Sequence, residues 1–170
     1  MERCGCGSLV PVEDGPRHPY MESAPACWRM YGELTTRLLA PGAAVAQPSH
    51  VDCFATQHTG GADSDQRQRS SIAVHLVALC ARIERGIPAG QVQRLRPRVS
   101  AAVLPTLGMD EWPLFTPPDH YGELTVAVLW NLPDDEFGAS LADWPGCVWS
   151  AWEHQHATVR VWTDALLGAG

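Results

Sequence analysis

The sequence contains no lysine: its 12 basic residues, histidine aside, are all Arg. That excludes Schiff-base and pyridoxal-lysine chemistry, a lysine nucleophile, and a phosphate-binding P-loop, which needs its lysine. There is no GxGxxG, no GxSxG elbow and no HExxH; the nearest string, EHQH at 153–156, has the wrong spacing. No stretch approaches 18 uninterrupted apolar residues, so no membrane span is expected. Residues 1–20 carry Pro, Gly and charges where a secretory signal needs an apolar run. The net charge is −7, with no broad basic stripe, so nucleic-acid binding is not expected. A cytoplasmic protein follows, in which six cysteines (4, 6, 27, 53, 80 and 147) serve as metal ligands or buried residues sooner than as disulfides.

What is present points to a helical core. The chain has 170 residues, 45% of them hydrophobic, which suffices for one domain with a sizeable interior. Seven Trp suggest wide, aromatic-lined packing or pockets. Residues 1–22 are rich in Gly, Pro and turn formers and read as irregular; residues 23–170 read as a single helical domain. Pro25 sits in the first turn of a predicted helix that ends before Pro41-Gly42. A second helix opens at Pro48-Ser49 and stops at Thr59-Gly60-Gly61. A third, over 66–85, is periodic through Ile72, Leu76, Leu79 and Ile83, with Gly86 as its C-cap. Residues 88–104 read as a short helix broken by Pro97. Residues 105–120 form a Pro-rich loop of the kind that lines sites. YGELTVAVLWNL reads as a short helix, its Thr-Val-Ala-Val run leaving a strand open. A final helix is predicted over 146–167. The expected fold is mainly α, a compact helical bundle with an irregular N-terminal metal-binding segment.

Three histidines fall on apolar faces. His58 follows Phe54 by four residues and Val51 by seven. His75 borders the Ile72–Leu79 stripe. His156 lies in a seam of Trp149, Trp152, Val159 and Thr163 at helical spacing. Histidine is costly to bury without a partner, and imidazoles from separate helices can share a metal and leave a position open for water. Asp52 cannot share His58's face, but could orient a neighbouring histidine as a supporting carboxylate. The bland alternative is that each histidine is satisfied separately by a carbonyl.

A second cluster lies near the N-terminus. Cys4-Gly-Cys6-Gly resembles half a zinc knuckle, and Cys27 with His18 could complete four ligands. Such a site would pin a segment that has no core of its own; the alternatives are a disordered tail with incidental cysteines and a redox pair.

The blocks HPYMESAPACWRMYGEL, VDCFATQHTG, SIAVHLVALCARIERG, LTVAVLW and VWSAWEHQHATVRVW follow one another in this order. Together they resemble an uncharacterised bacterial family, a domain of unknown function common in actinobacteria. Its pattern is a CxxCG start, HPY, a later Cys-Trp, an Asp-x-Tyr-x-x-Gln-His-Pro-Gly block, a Val-His-Leu helix and a Trp-rich final helix with histidine. The resemblance spans nearly the whole chain and implies that Cys6, His18, Cys27, Asp52, Gln57, His58, His75, Trp152 and His156 are the residues of interest. Here Arg3 stands where the pattern has its first Cys, with Cys4 displaced by one; Phe54 replaces Tyr and Thr59 replaces Pro. The family carries no assigned reaction.

Two functions are compatible with this pattern. In the first, His58, His75 and His156 hold a divalent metal, zinc by preference, or act as an acid/base set. Asp52 and Gln57 orient ligands or substrate, Trp152 and the Pro-rich loop wall a pocket, and Arg160 contacts an anion. The reaction would be metal-assisted hydrolysis, elimination or group transfer on a small polar substrate. In the second, the protein is a non-catalytic, zinc-stabilised partner-binding or sensor module. Metal storage is a weaker third, since the inner ligands are few and no Met-rich spacing supports it.

Overall fold

Helix dominates the chain, and most helix ends follow local punctuation. The computed structural model describes residues 1–39, 49–60 and 65–169. Pro41, Gly42, Pro48 and Gly61, predicted above to punctuate helices, lie outside the described residues. The chain opens with two short antiparallel strands, β1 (Glu2–Arg3) and β2 (Leu9–Val10), with Glu2 opposite Val10 and Arg3 opposite Leu9. The first segment is therefore a small hairpin and not wholly irregular.

Helix α1 spans Pro25–Leu39, with Pro25 in its first turn as expected. Helix α2 spans His50–Gln57. Helix α3 spans Gln66–Ile83; the Asp65 carboxylate accepts the Gln68 N–H, and Gly86 turns away at φ +63°. Pro97 divides the next stretch into α4 (Ala89–Leu95), a 3-10 turn at Arg96–Arg98, and α5 (Val99–Thr106). Helix α6 (Val126–Trp130) settles the strand-or-helix question for TVAVLW: the Thr125 hydroxyl caps it by accepting the Val128 N–H.

The C-terminal region departs from expectation. Helix α7 runs from Asp134 to Ala151, straight through Pro145, with Asp134, Asp135 and Glu136 in its first turn favouring the positive end of the dipole. It ends where the Trp152 N–H turns to the Trp149 carbonyl at 3.0 Å and the Gln155 N–H to the Trp152 carbonyl at 2.8 Å. A 3-10 turn at Glu153–Gln155 then leads into α8 (His156–Gly168). Trp149, Trp152 and His156 consequently do not share one continuous helical face.

Helix α3 is the central element, packed against α2, α4, α5, α7 and α8, while α1 packs on α6 and α2 on α7. Its residues Ile72, Leu76, Val77, Leu79 and Cys80 are buried. Residues 107–125 form neither helix nor strand. Buried Trp112, Phe115 and Tyr121 anchor this loop, the first two resting edge-on against Trp162. The arrangement brings the hairpin, the start of α1 and the end of α2 to one place. Among the described residues no helix is long and apolar enough to cross a membrane.

Candidate metal centre

Cys4, Cys6, Cys27 and His58 converge, with all their donor atoms within 4.8 Å of one another. Each comes from a different local device. Cys4 and Cys6 sit in the hairpin turn, where the Gly7 N–H bonds the Cys4 carbonyl at 2.9 Å and the Cys4 N–H bonds the Ser8 carbonyl at 2.9 Å. Gly7 closes that turn at φ +87°, a conformation that favours glycine. Gly5 is required for another reason: a Cβ there would lie 2.2 Å from the Glu22 carbonyl oxygen. The turn thus lies directly on the segment entering α1, whose third residue is Cys27. His58 follows the last residue of α2, and its carbonyl accepts the Glu22 N–H at 3.2 Å.

The geometry suits a tetrahedral ion. Cys6 and Cys27 sulfurs are 3.8 Å apart. Two thiolates bound to one tetrahedral ion with metal–sulfur bonds of about 2.3 Å stand about 3.8 Å apart. His58 is fully buried, and its Nδ1–H donates to the Phe54 carbonyl at 2.8 Å. That bond fixes the ring and leaves Nε2 as the ligating atom, the usual supporting arrangement for a metal-bound imidazole. Nε2 is buried without a hydrogen-bond partner, an arrangement that costs stability unless something occupies the site. The Ala24 N–H points at Cys4 Sγ from 3.2 Å, stabilising a thiolate there.

The cluster's electrostatics fit the same reading. Hydrogen bonds from Cys27 and then Cys6, working against burial, hold the Cys4 thiol far below its ordinary range. Its hydrogen bond to Cys4, then that to Cys6 and burial, push Cys27 up as the proton-carrying partner. Burial opposes charge on His58, yet attraction to the Cys4 and Cys6 sulfurs pushes it up to about 9. Protons shared so tightly among sulfurs and imidazole are those a divalent cation displaces on binding.

The family profile for a family of unknown function, DUF5946, matches residues 1–153. The chain belongs to DUF5946. No curated protein and no solved structure matches it. The matched span includes all four converging residues of this DUF5946 protein.

The other residues singled out by sequence are distributed elsewhere. His18, expected as the fourth ligand, instead accepts the Met21 N–H at 3.2 Å and the Tyr20 N–H at 3.4 Å on Nδ1, and its ring meets Tyr20 and Trp28 edge-on. Burial, then the nearby His58, pushes its pKa down. The three histidines expected to converge are held by three separate sets of partners. His58 is with the cysteines. His75 Nδ1 is 2.7 Å from Asp52 Oδ1, and Asp52 Oδ2 accepts from Arg96 Nη2 at 2.7 Å. His156 Nε2 is 2.8 Å from the Trp149 carbonyl, with its ring stacked on Trp149 at 3.9 Å. Among the described residues no group of metal-ligating side chains includes His75 or His156. The break between α7 and α8 turns His156 back on Trp149, and Asp52 claims His75.

Gln57 is fully buried and fully engaged: its amide donates to the Tyr121 and Leu124 carbonyls at 3.0 and 2.8 Å and accepts from Trp144 Nε1 at 3.1 Å. Trp152 is a core residue bonded to the Thr56 carbonyl at 3.2 Å, not a pocket wall. Arg160 pairs with Glu84 at 2.7 and 2.8 Å on the surface. The Pro-rich loop does line a cleft: Pro117, Pro118 and Tyr121 face Cys4, Cys6 and Thr59 across an open cavity of about 540 Å³.

Proposed function

We propose that this DUF5946 protein is a non-catalytic, zinc-stabilised sensor or partner-binding module, with one zinc held by Cys4, Cys6, Cys27 and His58. The observation that carries the reading is the buried, partnerless Nε2 of His58 among three cysteine sulfurs, its ring locked by the Phe54 carbonyl. Three thiolates and an imidazole are a closed donor set for zinc, whereas zinc sites that activate water keep a fourth position open. The ion supplies a cross-link between a segment with little core of its own and two helices of the body.

Metal-assisted hydrolysis, elimination or group transfer by His58, His75 and His156 has weaker support, since His75 and His156 are each committed to other partners. A small polar molecule in the adjoining cleft remains part of the reading. Nucleic acid is disfavoured by the net charge of −7, and a cytoplasmic setting suits the reduced cysteines.

Elemental analysis of the purified chain tests the assignment. One zinc per chain is expected in the wild type and in the His75→Ala and His156→Ala variants. Cys27→Ser and His58→Ala should fall below one tenth of that. Metal lost on changing His75 or His156, or absent from the wild type, overturns the proposal.

A further inference from the structure

The four ligands are not equally placed. Cys27 and His58 are fully buried and take no part in the cleft wall, whereas Cys4 and Cys6 line it. The cleft therefore meets the cluster on the Cys4 and Cys6 side, where each residue is 4% exposed. Those two sulfurs differ as well. Cys4 Sγ accepts the Ala24 N–H at 3.2 Å, which withdraws electron density from it. Cys6 Sγ meets Cys27 Sγ at 3.8 Å, and among the described residues no backbone N–H donates to it. Cys6 is also flanked by Gly5 and Gly7, so neither chain neighbour adds a side chain over it, and the space a Gly7 Cβ would take is open.

We infer that Cys6 is a nucleophilic thiolate reached through the cleft, and that the cleft admits small, soft, uncharged electrophiles to it. The inference rests on the zinc reading above. Three thiolates, one neutral imidazole and a divalent ion leave the centre with a net charge of about −1. A thiolate in such a centre keeps its reactive lone pair at neutral pH without needing a neighbouring base. The shared chemistry is displacement by sulfur, and two kinds of electrophile satisfy it. With a hydroperoxide, Cys6 sulfur attacks the distal oxygen, the O–O bond breaks, and the leaving alkoxide or hydroxide takes up a proton. Cys27 sulfur then attacks the Cys6 sulfenic acid, expelling its oxygen as water after protonation. The two sulfurs have then lost the two electrons that the peroxide gained. With an alkylating agent, Cys6 sulfur attacks carbon, and the leaving group departs with its electron pair. In the peroxide case a Cys6–Cys27 disulfide takes the place of the zinc cross-link, and in the alkylation case the hairpin loses one of its anchors, so a chemical event at Cys6 is also a structural one.

The zinc-loaded full chain is treated separately with hydrogen peroxide and with iodoacetamide, at neutral pH and without denaturant. Peptide mass spectrometry locates the modification, a zinc-responsive dye follows metal release, and glutathione is the reference thiol. Cys6 is expected to react at least tenfold faster than any other cysteine in the chain, with zinc released in step. At least one arm should outrun glutathione, and the arm with the larger ratio names the electrophile. Asp119→Trp, which adds bulk to the cleft wall away from the ligands, should slow the reaction at least fivefold while zinc stays at one per chain. First reaction at the partly exposed Cys147, both arms slower than glutathione, or an unchanged rate in Asp119→Trp overturns the inference and leaves the zinc assignment standing. A wild-type chain without zinc defeats the underlying reading instead, and the zinc measurement made beforehand separates the two.

Discussion

Asp52 shows how much one side chain can hold. It is 1% exposed yet ionic, with His75 on one oxygen and Arg96 on the other, joining α2 to α3 and to the 3-10 turn after α4. Removing one member of a buried ion pair strands its partners and costs about 3–5 kcal/mol. Asp52→Ala is therefore expected to lower unfolding free energy in urea by about 3 kcal/mol or more. Arg160→Ala provides the contrast: its pair with Glu84 lies on the surface, the arginine 46% exposed, and its loss should cost at most about 1 kcal/mol. Equal effects would mean that Asp52 is not the buried anchor its geometry describes. At this scale the sequence was informative about residue type and weak about partners. Asp52 beside a histidine was legible, but the histidine could not be named, because which helix faces meet is a tertiary fact. The same gap explains the fourth ligand. His18 is near the cysteines along the chain, whereas His58 arrives from the end of α2, more than thirty residues from Cys27. The one local hint was a histidine placed where a helix stops, at Gln57-His58-Thr59-Gly60.

Helices were the legible elements, since periodicity and Pro, Gly and Asp punctuation act locally. The exception was the boundary between α7 and α8. The final helix predicted from 146 placed a break beside Pro145 that does not occur, because flanking packing carries α7 through the proline; Trp144, Pro145 and Val148 are all buried. The real break, at Trp152, has no breaker residue. There a fully buried indole bonds the Thr56 carbonyl of α2, so a tertiary contact sets where the helix stops. Loops are harder still, and the attachment of residues 121–124 depends on one amide. Gln57 satisfies the Tyr121 and Leu124 carbonyls and the Trp144 indole. Gln57→Leu keeps the volume and leaves all three without that partner, at about 1–3 kcal/mol for each buried group. The expected outcome is a loss of about 3 kcal/mol or more, with new protease cleavage around 118–124 in the native state. Intact resistance in that loop would show that Tyr121 and its contact with Thr59 suffice to hold it.

For the molecule as a whole, the zinc reading makes the Cys/His cluster and the helical core separable contributors, and that separation can be measured. A small apolar cluster joins Ala78 and Ala81 of α3 to Val92 of α4, while the main one runs through α3, α7 and α8, with Trp112, Trp144 and Trp152 enclosed. The hairpin adds little to it beyond Val10 and the cysteines themselves. Its other ties include a two-residue strand pair, the Ala24 N–H to Cys4 Sγ bond, a Ser8–Thr125 hydroxyl contact at 2.8 Å and an Arg17–Glu2 ion pair at 3.7 Å, with the Glu22 N–H to His58 bond just behind it. Such a segment opens at low free-energy cost once its cross-link is gone. Stripping the metal with a strong chelator should therefore raise amide exchange at least tenfold across residues 2–10 and 22–24, while α3, α7 and α8 keep their protection. The physical basis is that thiolates and imidazole gathered within 4.8 Å repel or share protons without a cation to bind them. Cys27 and His58 stay on their helices, so the change should be confined to the hairpin and the entry to α1, and zinc added back should restore it. Collapse of protection throughout α3 on chelation would instead make the ion a requirement for the entire fold, and no change anywhere would mean that the hairpin is held by its packing alone.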